Sequence, residues 1–191
     1  MPRAHDPLPC APRRVAVAGV SGVGKTTLAR RIAEVIGAAY VEMDGLYHGP
    51  GWVPRPSFVD DVRSLVAGEG WVTEWQYAAA RPLITARVDV IVWLDLPFWT
   101  TTLPRVVRRT VRRRLRGEVL WNGNVEAPLH TIVTDREHIV RWSVSTRHFY
   151  RELLLAADTH DGPPIVRLRS RSAVERWISA LLSRVPDHGS E

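Results

Sequence analysis

Short apolar runs alternate with helical patterns along most of the chain. The runs predicted to form strands are residues 14–19, 39–43, 71–74, 88–96 and 164–168. Helical spacing predicts helices at residues 26–36, 57–67, 102–116, 135–157 and 172–185. The strands lack polar alternation, so we expect a parallel sheet that is buried on both faces. The pattern predicts an α/β fold.

The composition fits one globular domain. The chain has 191 residues, of which 45% are apolar and 24% charged. No apolar run approaches the ~20 residues of a membrane helix, and the first residues lack the core of a signal peptide. Cys10 is the only cysteine, which excludes a disulfide within the chain and favours a cytoplasmic location. We expect a core at residues 14–185 with flexible ends at 1–13 and 186–191.

Basic residues outnumber acidic ones, and one position among them stands out. The net charge is +6 and the sequence pI is about 10.4, which favours anionic partners such as phosphorylated molecules or nucleic acid. Of the 26 lysines and arginines, only Lys25 is a lysine. A lysine kept in an otherwise arginine-only chain indicates a specific role at that position.

Residues 19–26 match the phosphate-binding pattern G-x-x-x-x-G-K-[ST] completely. A predicted strand precedes the motif and a predicted helix follows it, as this loop requires. Glycines allow the backbone N–H groups to approach phosphate oxygens, Lys25 supplies a point charge, and Thr26 is placed to bind Mg²⁺. We therefore predict an ATP and Mg²⁺ site whose nucleotide ligands are Gly19, Ser21, Gly22, Val23, Gly24, Lys25, Thr26 and Thr27.

Further motifs give the chain a family resemblance. VEMDGLYHGPGW from Val41, WLDLP from Trp93, LWNGN from Leu120 and IVRLRS from Ile165 occur in that order. Together they resemble the adenylate-kinase-like P-loop proteins known as DNA topology modulation proteins. The resemblance implies a three-layer P-loop NTPase fold with a five-stranded parallel sheet, an acceptor-side insert and an arginine-bearing lid. In this chain the insert would be residues 45–70 and the lid residues 105–135.

The acceptor side would be built from residues that follow the second and third strands. Asp44 is predicted at the end of the second strand, where a carboxylate can orient the acceptor hydroxyl; the alternative is a turn aspartate before Gly45. Aromatic side chains suit the wall of an acceptor pocket, and isolated arginines suit an acceptor anion. Packing and solvated arginines are the alternatives. The candidates are Tyr47, His48 and Trp52 for the pocket wall, and Arg55 and Arg81 for the anion.

Two carboxylates compete for the metal. Glu74 stands where the resembled family usually has an acidic residue followed by Gly-Asn-Tyr, and it is a candidate Mg²⁺ ligand with Thr26. Trp75 replaces the glycine of that pattern and would narrow the acceptor site. Asp95, at the end of the strongest strand, is either related to the metal or structural. The resemblance also places Arg169 in a loop beside the adenine, where it could stack on the base; the alternative is a plain turn between strand and helix.

Six arginines recur at helical spacing between residues 105 and 116. We expect them to share one helix face, with Leu103, Val107, Val111 and Leu115 on another. In one interpretation they belong to a lid that closes over ATP phosphates, with Arg109 and Arg113 as catalytic candidates. In a second they contact nucleic acid, and in a third they are a solvated face. Glu118 and Glu126 are expected to pair with arginines when the lid closes.

These residues predict a phosphotransferase. We expect it to transfer the γ-phosphate of Mg²⁺-ATP to a hydroxyl or phosphate of a small molecule, with a nucleoside or nucleotide as one candidate acceptor. The predicted catalytic residues are Lys25, Asp44, Arg109 and Arg113. The alternatives are an ATP-binding regulatory protein that associates with DNA, and a simple ATPase.

Overall fold

A computed structural model describes residues 11–136, 138–158 and 162–184. Most of the ends predicted to be flexible lie outside these residues. Arg13 was grouped with the flexible end, but its N–H donates to Asp89 Oδ2 at 2.9 Å and its carbonyl accepts from Trp71 N at 3.0 Å. Backbone pairing therefore begins before the first strand.

The described strands form one parallel sheet in the order β2-β3-β1-β4-β5. Their bounds are β1 Arg14–Ala18, β2 Ala39–Val41, β3 Trp71–Glu74, β4 Val90–Leu94 and β5 Ile165–Leu168. The α/β fold with a five-stranded parallel sheet is thus confirmed. Because all strands run the same way, their carboxyl ends meet at one edge, where ligands bind in such sheets.

Helices cover both faces of the sheet. They are α1 Lys25–Ile36, α2 Met43–Tyr47, α3 Phe58–Ala67, α4 Arg81–Thr85, α5 Leu103–Arg116, α6 Thr131–Thr134, α7 Ile139–Ser145, α8 Phe149–Ala157 and α9 Arg171–Leu182. On one face, Val15 and Val17 pack with Ile32 and Trp177 from α1 and α9. On the other face, Ala16 packs among side chains from α3, α4 and α8. None of the helices in the described part of the chain has the length and apolar character to cross a membrane.

The prediction of one long helix at residues 135–157 is wrong. The chain forms α7 and α8 instead, separated at Thr146–His148. Ser145 Oγ and Thr146 Oγ1 both donate to the carbonyl of Trp142, at 3.0 and 2.7 Å. Such local hydrogen bonds compete with helix continuation. The break sets the direction of α8, which carries Tyr150 to the edge of the sheet where the site lies.

Candidate active site

The glycine-rich loop connects β1 to α1 and is packed between β4 and α5. Gly19, Gly22 and Gly24 all have positive φ, at 144°, 78° and 111°. A Cβ on Gly19 would lie 2.7 Å from the carbonyl oxygen of Leu94, and one on Gly22 would lie 2.0 Å from Val106 Cγ2. Glycine is therefore required at these two positions by both conformation and space.

The remaining predicted loop ligands differ in exposure. Val23 is buried in the core, and its carbonyl accepts from Arg105 Nη1 at 3.1 Å. Ser21 is partly exposed in the loop, and Thr27 is exposed in the first turn of α1. The backbone of Ser21, Val23 and Thr27 lies in or next to the loop. The hydrogen bond from Arg105 to Val23 was not predicted from the sequence.

Lys25 lies among the charged groups of the site. Its Nζ lies 3.4 Å from the carbonyl oxygen of Val20 and 5.8 Å from the ring of Tyr150. Burial lowers the pKa of Lys25, Glu74 and Asp44 oppose that shift, and Arg109 adds to it. No carboxylate in the described part of the chain forms an ion pair with the ammonium group. The lysine is therefore a partly desolvated cation that is free to bind an anion.

Thr26 and Glu74, the predicted metal pair, are in direct contact. Thr26 Oγ1 donates to Glu74 Oε1 at 2.9 Å, and Tyr40 Oη donates to the same oxygen at 2.8 Å. Glu74 Oε2 accepts from Met43 N at 3.0 Å. The carboxylate ends β3 and is only 2% exposed. A hydroxyl and a carboxylate beside a phosphate loop fit Mg²⁺, which needs few protein ligands when phosphates and water supply the rest.

Asp44 does not end the second strand as the sequence predicted. β2 ends at Val41, so Asp44 falls in the short helix α2 rather than at the strand end. Asp44 Oδ1 accepts from Gln76 Nε2 at 2.7 Å and from Tyr77 Oη at 2.6 Å. The buried phenol keeps its proton, because burial and this carboxylate raise the pKa of Tyr77. These contacts orient Asp44 at the same sheet edge as Lys25 and Glu74.

Aromatic rings surround Asp44. Tyr47 stacks on Tyr77 with 4.0 Å between the ring centroids, and its edge meets Phe58 at 5.0 Å. Trp52 is 38% exposed and contacts the rings of His48 and Trp121. Tyr47 therefore packs within the cluster, whereas Trp52 reaches from the acceptor-side insert toward the lid.

The two acceptor-side arginines have different surroundings. Arg55 Nη2 lies 3.1 Å from Asp61 Oδ2, and Arg55 Nη1 donates to the carbonyl of Leu46 at 3.3 Å. These contacts favour a structural role for Arg55 over the predicted one. The guanidinium of Arg81 lies 5.6 Å from the ring of Trp75 and 5.4 Å from that of Phe149. Arg81 has no carboxylate partner among the described residues and remains a candidate for an acceptor anion.

The arginines of α5 divide into two groups, which differs from the single face that the sequence predicted. Arg105, Arg109 and Arg113 are partly buried, whereas Arg108, Arg112 and Arg116 are exposed. The exposed three line a surface groove together with Leu103, Val107, Val111 and Leu115. Val106 and Thr110 are fully buried, whereas none of these four apolar residues is.

The partly buried arginines have three different environments. Arg105 contacts the phosphate loop as described above. Burial and Arg113 lower the pKa of Arg109, while Glu126 and Asp44 oppose the shift. Arg109 Nε is buried without a hydrogen-bond partner in the described structure. Arg113 lies 3.5 Å from Glu118 and 3.3 Å from Glu126, in agreement with the predicted pairing. Among the three, Arg109 is thus the one without a hydrogen bond or ion pair in the described part of the chain.

The tip of the lid is bound to the acceptor-side insert. Asn124 is buried; its Oδ1 accepts from Trp52 N at 3.1 Å and its Nδ2 donates to the carbonyl of Gly49 at 2.9 Å. Asn122 Nδ2 donates to the carbonyl of His48, and Trp52 Nε1 donates to that of Val125. The WNGN motif therefore recognises the backbone of the insert, a role that a turn motif does not reveal in the sequence alone.

Asp95 belongs to a structural pair on the opposite side of the loop. Its Oδ2 accepts from Arg167 Nε at 2.8 Å and also from Arg167 Nη2. The Arg167 guanidinium lies 4.2 Å from the ring centroid of Trp93. Of the two roles considered for Asp95, these contacts favour the structural one. Arg169 Nε also lies 3.9 Å from Asp95 Oδ2, but the side chain is 72% exposed and stays a candidate for a ligand.

Comparisons with known proteins relate the chain to kinases. No family model matches the chain. A Pyrococcus furiosus protein provisionally named as an adenylate kinase is 26% identical over 121 residues, which cover 62% of this chain and 65% of that protein. A cytidylate kinase of Oleidesulfovibrio alaskensis is 50% identical over 38 residues, 20% of this chain and 17% of that one. The matches thus span less than two thirds of either relative.

A solved structure extends the likeness over nearly the whole chain. A gluconokinase from Sinorhizobium meliloti 1021 superposes with a TM-score of 0.50 at 16% identity, covering 92% of this chain and 95% of that one. The fold is that of an adenylate-kinase-like P-loop kinase. Within this kinase fold, the narrower resemblance to topology modulation proteins stays a prediction.

Proposed function

We propose that the chain is a phosphotransferase that uses Mg²⁺-ATP. The observation that carries the proposal is the meeting of two cations, Lys25 and Arg109, with the carboxylates of Asp44 and Glu74 beside a glycine-rich phosphate loop. Neither cation has an ion-pair partner in the described structure. Cations without a directly paired carboxylate are costly at a buried site unless an anion binds there. Kinases among the relatives support the same conclusion.

Each group has a role in the proposed transfer. The loop amides from Gly22 to Thr26 and the ammonium of Lys25 would bind the phosphates, and Arg109 would stabilise negative charge on the transferred group. Thr26 and Glu74 would hold Mg²⁺, which supplies charge neutralisation when bound. Arg105 holds the start of the lid helix against the loop through Val23.

Asp44 would orient the acceptor. Its Oδ1 is occupied by Gln76 and Tyr77, which leaves Oδ2 for an acceptor hydroxyl. As the acceptor oxygen forms its bond to the γ-phosphorus, the bond from that phosphorus to the bridging oxygen of ATP breaks. The hydroxyl proton passes to Asp44, and ADP leaves. A hydroxyl or phosphate of a small molecule is the proposed acceptor, with nucleosides and nucleotides first in the test panel.

Calorimetric titration of ATP, with and without Mg²⁺, tests the nucleotide site. We expect Lys25→Met to weaken ATP binding at least about tenfold, because it removes a charged contact to phosphate. Thr26→Val should reduce the benefit of added Mg²⁺ while leaving metal-free binding nearly unchanged. Arg31→Met, which breaks a surface ion pair with Glu175 on α9, is the control. Equal affinity in wild type and Lys25→Met would contradict the proposal.

Release of ADP across a panel of hydroxyl and phosphate acceptors tests the reaction. An acceptor that raises ADP release in wild type but not in Asp44→Asn identifies the chain as a kinase and names its acceptor. ADP release that no acceptor stimulates would instead support the simple ATPase.

A second candidate function rests on the outer face of α5. Arg108, Arg112 and Arg116 are exposed and form no ion pair with any residue in the described ranges. Such a row of cations suits a nucleic-acid backbone. If it acts there, duplex DNA binding should fall steeply with salt and be lost when all three are changed to glutamine. Binding of ATP should remain.

A further inference from the structure

His48 contacts the hydrogen-bond network of Asp44 through Tyr77. Tyr77 Oη lies 2.6 Å from Asp44 Oδ1 and 3.2 Å from His48 Nε2. A carboxylate only accepts hydrogen bonds, so the single proton of the phenol is directed to Asp44. The phenol oxygen can then only accept from His48. The network therefore assigns the hydrogen of the neutral imidazole to Nε2.

This assignment leaves the other ring nitrogen without a partner. His48 Nδ1 is buried and has no hydrogen-bond partner in the described part of the chain. The opposite tautomer would place two acceptors face to face at Nε2 and the phenol oxygen. An unpaired buried nitrogen is unfavourable for a residue with a merely structural role.

The backbone and the ring of His48 also contact the lid side and the insert. Asn122 donates to the carbonyl of His48, and the ring of Trp121 lies nearly parallel to the imidazole with 6.4 Å between centroids. Trp52 meets the imidazole edge-on at 5.1 Å. The position of His48 thus depends on the docked lid tip, while its Nε2 faces the phenol that orients Asp44.

We infer that His48 is a positioning residue for the phosphoryl transfer, which fixes the phenol of Tyr77 and through it the orientation of the Asp44 carboxylate. The inference rests on the proposed function only for the role of Asp44. His48 does not touch the phosphate loop, so its effect is expected on transfer and not on ATP affinity.

The first test reads the tautomer and needs no ligand. Nitrogen-15 NMR of the ring-labelled full chain distinguishes a protonated Nε2 from a protonated Nδ1, and the spectrum of His48→Gln identifies the His48 signals among the seven histidines. We expect the Nε2–H form in wild type and a changed Nε2 chemical shift in Tyr77→Phe, which lacks the phenol oxygen that accepts from it. A protonated Nδ1 in the neutral ring, or no response to Tyr77→Phe, would overturn the inference.

The second test separates the donor from the ring. His48→Gln retains an N–H near the position of Nε2, whereas His48→Phe retains a ring and loses the donor. With Mg²⁺-ATP as the probe and water as phosphoryl acceptor, we expect ADP release to fall about tenfold in His48→Phe and less than about threefold in His48→Gln. His130→Phe, an exposed position, should change nothing.

A double-mutant cycle completes the test. Because His48 acts through Tyr77, the pair His48→Phe and Tyr77→Phe should lower ADP release no more than the worse single variant. Losses that multiply, or an equal loss in His48→Gln and His48→Phe, would overturn the inference. Failure of wild type to bind Mg²⁺-ATP would instead refute the proposed function. The tautomer result would not be affected, because it is measured without a ligand.

Discussion

Replacing Arg109 should have opposite effects on the stability of the protein and on its affinity for ATP. Its guanidinium is partly buried, Nε has no partner in the described structure, and after burial the like-charged Arg113 does most to lower its pKa. Arg109→Met keeps much of the apolar stem and removes the charge. The change should therefore stabilise the ligand-free protein while it weakens ATP binding.

The size of both effects follows from the surroundings of Arg109. A buried polar group without a partner costs about 1–3 kcal/mol, part of which is offset by the packing of the side chain. We expect Arg109→Met to raise the free energy of unfolding by about 1 kcal/mol. A lost charged hydrogen bond to phosphate is worth about 1.5–3 kcal/mol, so ATP affinity should fall at least about tenfold. The pKa of Lys25 should rise, because Arg109 helps to lower it.

Urea unfolding and calorimetric titration of ATP measure the two effects. Arg108→Met is the matched control, since Arg108 neighbours Arg109 on α5 but is exposed on the outer face. Its stability should change by less than about 0.5 kcal/mol and its ATP affinity should not change. The reasoning fails if the two variants lose ATP affinity equally, or if Arg109→Met unfolds more easily than wild type.

Two further predictions concern stability. Gly22→Ala and Gly37→Ala both place alanine at positive φ, which should cost about 1–2 kcal/mol of unfolding free energy. Only the new Cβ at Gly22 would overlap Val106. In urea unfolding, this overlap should make Gly22→Ala less stable than Gly37→Ala by about 1–3 kcal/mol. Equal losses would show that the loop does not pack against α5. Burial raises the pKa of Tyr150 to about 12, so the unfolded chain releases this proton first and stability falls as the pH rises above about 10. Tyr150→Phe should lose less stability than wild type between about pH 9 and pH 11, and parallel curves would contradict this.

The sequence predicted those parts of the molecule whose structure depends on neighbouring residues in the chain. Apolar β-branched runs identified all the described strands, and the glycine-rich motif placed Lys25 and Thr26 correctly at the start of α1. Glu74 was predicted to share a metal with Thr26, and the two side chains are in contact. Glu74 ends a strand, and Lys25 and Thr26 begin the helix that the short glycine-rich loop joins to β1, so the sheet and this loop determine where the side chains lie.

Prediction was weaker where a side chain depends on distant partners. Asp95 ends a buried strand just as Glu74 does, yet Arg167 of the neighbouring strand binds it. Arg55 has the same appearance in the sequence as Arg81, but Asp61 neutralises only Arg55. Nothing local distinguishes the members of these pairs, because their partners lie in other elements.

The buried face of the lid helix is not the one that carries its apolar stripe. Val107 and Leu115 of the apolar stripe are exposed, whereas Val106 and Thr110 are buried between Arg105, Arg109 and Arg113. That buried face must contact the phosphate loop at Gly22 and also present cations to the site. Burying arginines is unfavourable until an anion binds, so we attribute the orientation of α5 to the proposed nucleotide site and not to its apolar stripe. Because nucleotide would neutralise the same charges, its binding should stabilise the packed position of the lid helix.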